Sequence, residues 1–532
     1  MKDQQVELTE EALKDYFKLC KDVIILNKTY GNTQSGSNKD TYAKGITQPI
    51  NHNATSYHNS MSHLPNNRQN NSYQKKENSK QVYIVYSDVV INNNSLSETV
   101  FPELNLIYEK SKFESISDIQ NVTLLNWSTI SYPDEPITLN QFSALLFEGN
   151  LMFIIPDLQA IWTINISNFP TRSTEDSASE PSIRGPRDGL IEDISSNVAL
   201  IRRRIRSQHL ACETFTLGTR TSTKLALMYM DDIANTETIN NIRNTLEGIH
   251  VDQVVTTGNL EELISSQSFA LFPTMDYSGR PDFVADSLLN GRFALLLDNN
   301  PTAIIAPANF LLLLKSPEDS FFPLLSSNIG RLLRLFALLL TIFLPSFYVA
   351  ITTFHPDQIP FALLATISTS RHGLPLDAGL EMIIIMSLME LFREAGIRLP
   401  SSIGQTLTVV GGLIIGDAAI RAGLVSPIII VVTAITVVAS ATLVNQSISS
   451  TVVLIRFLAF LFGTFLGIYG FILSIILFCL YLSTIRSFGV PYLAPLSPLD
   501  LRGLMPTLFE VPLRWMKRRP SFLHTQKPKK DE

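Results

Sequence analysis

SIRGPRDGLIEDISSNVALIRRRIRS, residues 182–207, holds six arginines and three acids among regularly spaced aliphatic residues. Its apolar positions recur at steps of 4, 4, 3 and 4, at Leu190, Ile194, Val198, Ile201 and Ile205. This period predicts one helix with a single buried stripe. We expect the acids Asp188, Glu192 and Asp193 in its first turns and the arginines in its last, the arrangement that the helix dipole stabilises.

This helix is a candidate for coupling between domains. The turn before it places Pro186 near the first helical position, where the missing backbone N–H has no cost. We expect a strut between two domains whose basic end faces acidic lipid headgroups or a neighbouring subunit. Nucleic-acid binding is disfavoured, because no aromatic residues are interleaved and the net charge of the chain is −6. The predicted coupling residues are Arg184, Gly185, Pro186, Arg187, Arg202, Arg203 and Arg204.

Apolar runs that alternate with helical patterns on both sides of the strut predict two related α/β subdomains. Residues 144–165 echo residues 286–307 with Gly149 aligned on Gly291, which suggests an ancient duplication. In the second subdomain, helices are expected at 236–248 and 280–291 and strands at 224–232, 251–257, 292–299 and 302–308.

The whole chain is predicted to be an α+β multidomain membrane protein. Its predicted parts are an N-terminal helix and strand (1–30), an insertion (31–80), two cytosolic α/β subdomains (81–181 and 210–328), the linking helix (182–209), a helical transmembrane domain (329–488) and a basic cytosolic tail (489–532). The Asn- and Ser-rich insertion is expected to be disordered, with a prion-like interaction tract as the alternative. The acidic N-terminus does not resemble a signal peptide. Cys20, Cys212 and Cys479 fit no metal spacing and predict no disulfide framework.

The transmembrane domain is predicted to cross the bilayer about four times. Between Leu335 and Ile485 the chain has no lysine, five arginines and six acids. The predicted spans are 335–356, 374–395, 428–444 and 457–485. Residues 359–373 are predicted to be interfacial or re-entrant. Residues 399–423 are predicted to be re-entrant, because a fifth crossing would place the basic tail outside the cell. Both termini are then cytoplasmic.

Small and polar residues at membrane depth predict a pore, because irregular backbone there must be buried in protein or line water. The predicted pore-lining residues are Thr408, Gly411, Gly412, Ile415 and Asp417. Close packing of helices through small residues is the alternative. The intramembrane acids Asp377, Glu381 and Glu390 would form rings that attract cations in a symmetric oligomer. Alternatively, they pair locally with arginines such as Arg371 and Arg393.

Several long segments occur together in one order along the chain. They are IRGPRDGLIEDISSNVALIRRRI, GRPDFVADSLLNGRFALLLDNNP, SPED, LLRLFALLLTIFLPSFYVAITTFHPDQIP, EMIIIMSLMELFREAGIRLPSSIGQTLTVVGGLIIGDAAIRAGLVSP and SFGVPYLAPLSP. Together they closely resemble the A subunits of spore germination receptors, the GerA family of endospore-forming bacteria. The resemblance is close over residues 183–498 and weaker over the first subdomain. The insertion departs from the family pattern, which has a short connection there.

The resemblance implies a nutrient-sensing complex in the inner membrane of the dormant spore. In this family the A subunit is expected to act with a permease-like B subunit and a lipoprotein C subunit. The resemblance also implies a homo-oligomeric ring of A subunits, with a pentamer expected, that releases monovalent cations once nutrient is sensed. Membrane lipids are further expected partners, and nucleic acid is not.

Two other functions remain open from the sequence. A non-conducting scaffold that transmits the signal is fully compatible with it. A secondary transporter is less so, because no pair of equivalent interrupted helices occurs in two halves of the membrane region. We expect no enzyme activity and no cofactor: the acids and His209, His250 and His372 form no nucleophile or metal constellation, and no phosphate-binding glycine loop is present.

Overall fold

The computed structural model describes residues 5–31, 79–122, 127–131, 136–168, 184–265, 270–398, 416–512 and 514–530. An α+β part with two five-stranded sheets precedes a helical part, which agrees with the predicted fold class in outline. Most of the predicted disordered insertion, residues 32–78, lies outside the described residues.

The first sheet has the strand order β1-β2-β4-β5-β3, and each neighbouring pair is antiparallel. Its strands are β1 (Val23–Tyr30), β2 (Lys80–Ser87), β3 (Ser128–Ser131), β4 (Asn150–Ile155) and β5 (Ala160–Asn165). The helices of this part are α1 (Glu10–Tyr16), α2 (Asn93–Ser95, joined through a π-helical turn at Leu96–Val100 to α3), α3 (Phe101–Ser111), α4 (Ile116–Val122) and α5 (Leu139–Phe147). Strand β4 is buried along its whole length, with Phe153 in the core on one face and Met152 in the core on the other.

The second sheet has the order β6-β7-β9-β10-β8 and is also antiparallel throughout. Its strands are β6 (Leu210–Leu217), β7 (Thr223–Met230), β8 (Asp276–Ser278), β9 (Phe293–Leu297) and β10 (Ala303–Ala306). The associated helices are α6 (Ile194–Arg204), α7 (Thr236–Glu247), α8 (Thr257–Ile264), α9 (Pro281–Leu289) and α10 (Phe310–Leu313). Each strand of the second sheet holds the place of the strand five earlier in the first.

The shared strand order supports the predicted internal repeat. Gly149 precedes β4 and Gly291 precedes β9, the equivalent strand, and their φ angles are +89° and +98°. Residues with a side chain rarely adopt such angles, so both copies use glycine to enter the same central strand. The aligned glycines in the sequence therefore mark the same turn in the two copies.

The strand predicted at residues 251–257 is wrong. Residues 251–255 form no regular element, and Thr257 begins α8. The Thr256 hydroxyl accepts a hydrogen bond from Asn259 N (3.2 Å), and the Asn259 side chain accepts one from Thr256 N (3.3 Å). This reciprocal cap starts a helix where the β-branched residues alone favour a strand.

The stripe predicted for the linking helix is confirmed, because Leu190, Ile194, Val198, Ile201 and Ile205 all lie in one buried cluster. The predicted start is wrong: α6 begins at Ile194, where Asp193 accepts a hydrogen bond from Ser196 N at 2.8 Å. Asp188, Glu192 and Pro186 therefore precede the helix. The backbone before it is bound to the second sheet instead, since Leu190 N donates to Gly279 O and Asn299 N donates to Glu192 O.

The two sheets are joined by backbone and by one buried ion pair. Lys21 N donates to Cys212 O at 3.1 Å, and Cys212 N donates to Leu19 O at 2.9 Å. Arg202 of α6 is fully buried and donates from Nε and Nη2 to the two carboxylate oxygens of Asp22, at 2.9 and 2.7 Å. Burial alone would lower the pKa of the Arg202 guanidinium, but the Asp22 carboxylate raises it above its usual range.

The helical part follows the second sheet. Its helices are α11 (Leu324–Phe354), α12 (Phe361–Arg371), α13 (Ala378–Arg398), α14 (Pro427–Ala441) and α15 (Gln446–Thr484). Among the described residues, two helices are long and apolar enough to cross a membrane, Leu324–Phe354 and Ser447–Thr484. Helix α12 corresponds to the segment predicted to be interfacial or re-entrant.

Helix α15 folds back on itself at Gly467, so the single predicted span 457–485 is wrong. Gly467 has φ +61° and ψ −142°, outside helical geometry. Thr451 Oγ1 donates to Leu271 O at 2.7 Å and Leu271 N donates to Tyr481 Oη at 2.6 Å, so both ends of α15 contact one residue. In a straight helix Thr451 and Tyr481 would be about 45 Å apart. The two arms of α15 are therefore antiparallel.

The contacts of Leu271 define two ends of the helical part. We call the end beside the second sheet proximal and the opposite end, where the Phe354 ring packs on Gly467, distal. Helix α13 starts at the distal end, with Gly379 against Thr464, and its Arg393 donates to Ser449 Oγ near the proximal end.

Helix α14 also starts at the distal end. Ser426 N donates to Glu381 Oε2 there, and past the end of α14 Asn445 donates to Asp276 of the second sheet at 2.6 Å. The described residues on the two sides of the segment 399–423 therefore lie at opposite ends of the helical part. Most of the segment predicted to be re-entrant, residues 399–415, lies outside the described residues.

The C-terminal tail returns to the second sheet. After a short hairpin of β11 (Arg486–Ser487) and β12 (Val490–Pro491) and helix α16 (Leu501–Leu508), the chain packs beside α7 and α9. Gln526 N donates to Ile233 O at 3.0 Å, Lys527 pairs with Asp232 at 2.7 Å, and Arg519 Nε donates to Leu289 O at 2.9 Å. The chain thus enters and leaves the helical part at its proximal end.

Replacing Arg202 is expected to loosen the contact between the sheets. Arg202→Met leaves the Asp22 carboxylate buried without its partner, which costs about 3–5 kcal/mol. Hydrogen exchange of the full chain should show faster exchange in β1 and α6. The control is Arg220→Met, whose ion pair with Asp252 is exposed to solvent. Equal protection in both variants would contradict the role given to the buried pair.

The crossing of α11 and α15 predicts a second effect. A side chain on Gly463 would overlap Ser346 Oγ, whose hydroxyl donates to Ala459 O at 2.7 Å. Gly463→Leu is therefore expected to destabilise the helical part by at least the roughly 1–3 kcal/mol typical of overpacking. Thermal unfolding in detergent should show a lower midpoint than Phe465→Leu, a change at a side chain that is 75% exposed. An unchanged midpoint would rule out this close crossing.

Candidate functional site

A buried polar cluster lies at the distal end of the helical part. Glu381 of α13 is fully buried, and its Oε2 accepts a hydrogen bond from Ser426 N at 2.7 Å. Its other oxygen, Oε1, lies 3.5 Å from Arg371 Nε at the end of α12. Tyr348 of α11 packs in the cluster that contains Met382 and Val425, the neighbours of Glu381 and Ser426, and its hydroxyl is buried. We call Glu381, Ser426, Arg371 and Tyr348 the Glu381 cluster.

The Glu381 cluster is incompletely hydrogen-bonded. Within the described residues, four of its buried atoms have no hydrogen-bond partner: Glu381 Oε1, Arg371 Nε, Tyr348 Oη and Ser426 Oγ. Buried polar groups in proteins are nearly always satisfied, by protein or by ordered water. Donors and a carboxylate acceptor from four parts of the helical region thus converge on one place.

Glu390 occupies a different environment. Its Oε1 accepts from Arg393 Nε at 2.7 Å, and its Oε2 accepts from Arg456 Nη2 at 3.0 Å. Arg456 is 4% exposed. One carboxylate between two guanidinium groups is neutralised locally, which corresponds to the pairing alternative and not to an open ring of acids. The partner Arg456 is 66 residues away in the chain and was not considered from the sequence.

The remaining acids are exposed. Asp377 precedes α13 and accepts a hydrogen bond from Gly379 N at 3.2 Å, so it caps the helix and does not share a buried face with Glu381. Asp417 pairs with Arg421 at 2.9 Å and its side chain is 55% exposed. The other predicted pore-lining residues, Thr408, Gly411, Gly412 and Ile415, lie outside the described residues.

The predicted coupling residues separate into two contacts. Arg202 binds Asp22 between the sheets, and Arg204 binds Asp188 at 2.7 Å on the surface of the second subdomain. Arg184 N donates to Glu318 Oε2 at 3.0 Å, and Gly185, at φ +139°, lies against the Phe321 ring. Arg187 and Arg203 are exposed, and Pro186 is half-buried.

One buried charge network at the proximal end was missed from the sequence. Asp319 Oδ2 accepts from Arg331 Nε at 2.9 Å, and Asp319 Oδ1 accepts from Arg334, which also donates to Leu314 O at 2.9 Å. All three charged side chains are less than 10% exposed. The segment SPED and the two arginines are visible in the sequence, but SPED was used there only for the family resemblance. The network fixes α11 to the turn at Pro317–Phe321 that precedes it.

Comparisons with known proteins agree on one family. The sequence profile described as Bacillus/Clostridium GerA spore germination protein matches residues 12–522. Spore germination protein XA of Bacillus anthracis is 44% identical over 444 residues, which cover 84% of this chain and 90% of that protein. Spore germination protein KA of Bacillus subtilis (strain 168) is 33% identical over 437 residues, covering 82% of this chain and 80% of that protein.

A solved structure also aligns with the chain. The crystal structure of the N-terminal domain of the A subunit of the Bacillus megaterium spore germinant receptor GerK3 covers 58% of this chain and 97% of that domain, with 23% identity and a TM-score of 0.36. The profile match over nearly the whole length, together with relatives at 33–44% identity, decides the assignment. The chain belongs to the GerA family of spore germination proteins.

Proposed function

We propose that the chain is the A subunit of a germinant receptor in the inner membrane of the dormant spore, and that its helical part conducts monovalent cations in a homo-oligomer. Family membership and the names of the relatives support the role in germination. The conduction proposal rests on one observation, the unsatisfied buried polar atoms of the Glu381 cluster.

The proposed partners follow from the resemblance. They are a permease-like B subunit, a lipoprotein C subunit and further copies of the A subunit in a ring of five. Large apolar side chains on the helices are available for lipid or for partner helices, among them Phe361 (85% exposed), Phe465 (75%), Leu391 (67%) and Val438 (67%). We propose neither an enzymatic reaction nor a cofactor for the chain.

The contacts of the helical part support a membrane topology with an even number of passages, because the chain enters and leaves it beside the second sheet. The two arms of α15 contribute two passages, at about 31 and 25 Å long each close to the hydrocarbon thickness. Helices α11, α13 and α14 contribute three, and residues 399–415, between α13 and α14, lie outside the described residues. The described helices thus account for five passages, and we propose an even total above the four expected from hydropathy.

The distribution of positive charge supports a cytoplasmic proximal end. Arg331, Arg334, Arg393 and Arg486 lie toward the proximal end, as does the tail with its lysines and arginines, whereas Arg371 lies at the distal end. Positively charged residues near membrane segments favour the cytoplasmic side. The two sheets and the C-terminus are then cytoplasmic.

The Glu381 cluster supplies chemistry suited to a cation on its way through a bilayer. A carboxylate oxygen with no protein donor can accept a hydrogen bond from the hydration shell of a cation, or bind the cation directly. The neighbouring Arg371 keeps the cluster close to neutral, which favours passage over tight binding. In a ring of subunits the cluster would be repeated once per subunit around one axis.

A non-conducting subunit that transmits the signal is the second candidate, and the environment of Glu390 favours it. The carboxylate is held by two arginines, so an oligomer would place no uncompensated ring of acids at that level. In that case the Glu381 cluster would hold structural water, and cations would leave the spore through another protein.

The two-arm arrangement of α15 predicts which positions thiol reagents reach. In a Cys479→Ser background, Tyr469→Cys at the distal turn should react with a membrane-impermeant maleimide added to intact cells. Ser483→Cys at the proximal end should react only after permeabilisation. Tyr469 and Ser483 are exposed, while the native Cys20 and Cys212 are buried. A single span from 457 to 485 would place residue 469 in mid-bilayer, so an unreactive Tyr469→Cys contradicts the proposed reversal.

The conduction proposal predicts that the charge of Glu381 matters. In spores whose germination depends on this chain, Glu381→Gln should slow potassium release after a nutrient mixture by about tenfold, the effect of about 1.4 kcal/mol on a barrier. A potassium electrode measures the release, and immunoblotting verifies equal amounts of the A subunit. The control is Glu394→Gln, an exposed carboxylate paired with Arg398.

Two results would count against conduction through this chain. Equal rates for Glu381→Gln and wild-type spores would remove the Glu381 cluster from the pathway. The second result is potassium release that stays as fast as in wild-type spores although the membrane contains only a fraction of the normal amount of the variant. It would favour the signalling role, because flux through a channel scales with the number of channels.

A further inference from the structure

A cavity of about 340 Å³ lies where the second subdomain, the start of α11 and the C-terminal tail meet. Five cationic residues line it: Arg292 before β9, Lys315 after α10, Arg331 of α11, and Arg518 and Lys530 of the tail. Three acids line it as well: Asp282, Asp286 and Glu510. Cationic residues from three separate parts of the chain therefore surround one space.

Two of the three acids already form ion pairs with arginines. Asp282 binds Arg280 at 2.7 Å, and Glu510 binds Arg331. The third, Asp286, accepts a hydrogen bond from the Asn290 side chain at 3.1 Å. The cavity thus offers few free carboxylate oxygens to a metal cation and has an excess of positive charge.

Several of the cationic donors are not satisfied by protein. Arg292 is 5% exposed and donates only to neutral acceptors, Pro307 O at 3.1 Å and Asn309 Oδ1 at 3.2 Å. Arg331 Nη1 is buried without a hydrogen-bond partner within the described residues. Among the described residues, no carboxylate oxygen lies within 4 Å of the Lys315 ammonium. Arg331 is paired with Asp319 and Glu510, but Arg292 and the half-buried Lys315 have no bonded carboxylate, so a bound anion would stabilise them.

The environment also affects the protonation of these groups. Burial lowers the pKa of Arg292 to about 10. Burial, together with the positive charge of Arg331, lowers the pKa of Lys315 to about 8. A bound anion would reverse both effects, because a neighbouring negative charge favours the protonated form.

We propose that this cavity binds a phosphate group, either the headgroup phosphate of an anionic lipid or a soluble phosphate. Guanidinium and ammonium donors that converge from several directions suit a tetrahedral oxyanion. A water molecule occupies about 30 Å³ in the liquid. The cavity volume of about 340 Å³ therefore leaves room for water or a glycerol moiety beside one phosphate group. The cavity lies at the proximal end beside Arg331, where a lipid headgroup is expected if α11 crosses the bilayer.

Binding there would join the tail to the rest of the protein. Lys315 precedes α11 and Arg331 lies within it, Arg292 belongs to the second subdomain, and Arg518 and Lys530 belong to the tail. A phosphate group that contacts all three parts would hold them in one arrangement. The proposal goes beyond the proposed function and does not depend on ion conduction.

Sulfate is a suitable probe, because it has the shape of phosphate and keeps its charge across neutral and mildly alkaline pH. Equilibrium dialysis of the full chain in detergent with radiolabelled sulfate, at ionic strength held constant with chloride, should show one saturable site per chain. Lys315→Gln should weaken binding by about tenfold, the usual effect of losing one hydrogen bond to a charged group. Lys224→Gln, an exposed lysine of β7 outside the cavity, should leave the affinity unchanged.

Binding should also weaken as the pH rises through about 8, because the Lys315 ammonium then loses its proton. The charged groups that face Lys315 are Asp286, Arg292, Arg331 and Glu510. In Lys315→Gln this pH dependence should be much reduced. Arg518→Gln alters an exposed side chain, so it tests the site without disturbing the fold, and it should weaken binding severalfold.

The source of the phosphate group can be separated in the same assay. Vesicles of phosphatidylglycerol should displace the labelled sulfate, while vesicles of phosphatidylcholine should not, if the natural ligand is an anionic lipid. Displacement by inorganic phosphate but by neither vesicle indicates a soluble ligand. The proposal is overturned if wild-type protein shows no saturable binding, or if Lys315→Gln and Arg518→Gln both bind as tightly as Lys224→Gln.

Discussion

The contacts of Leu271 with both arms of α15 constrain the helical part more than any other interaction. Its backbone accepts a hydrogen bond from Thr451 and donates one to Tyr481, so α15 must reverse between them. Gly467 permits the reversal, because its left-handed φ and the adjacent Phe354 ring exclude a side chain. The tail that follows α15 consequently begins at the second sheet, and the chain enters and leaves the helical part on one side.

The sequence was informative where a short-range pattern determines structure. The buried stripe of α6, the strands β7, β9 and β10 and the turn glycines of the repeat all follow from local periodicity or from φ angles. Prediction failed where one local interaction outweighs the pattern. A cap at Thr256 starts a helix in place of a strand, and one glycine at 467 divides an apolar run without charged residues. Hydropathy reports how apolar a segment is and contains no information about its direction.

In the candidate site, too, the sequence predicted some features and could not predict others. The sequence identified Glu381 and Glu390 as acids within an apolar region, and both lie in the helical part, on α13. Their difference could not be predicted, because it depends on distant partners: Ser426 is 45 residues from Glu381, and Arg456 is 66 residues from Glu390. Asp377 differs from both for a local reason, since it precedes the helix and caps it. Glu381, Glu390 and Asp377 all carry a carboxylate, but they differ in burial and in hydrogen-bond partners.

The proximal end connects the sheets to the helices through buried charge. Glu318 accepts from Arg184 N and binds Arg280, which anchors the start of α9, while the adjacent Asp319 binds Arg331 and Arg334 of α11. Two consecutive acids thus hold the segment before α6 on one side and the long apolar helix α11 on the other. The energy of a buried ion pair depends strongly on its geometry. A movement of the strut would therefore disturb the pairing of Asp319 with its two arginines. Arg331 also lines the cationic cavity, so a phosphate group bound there would act on the same residue that links the sheets to α11.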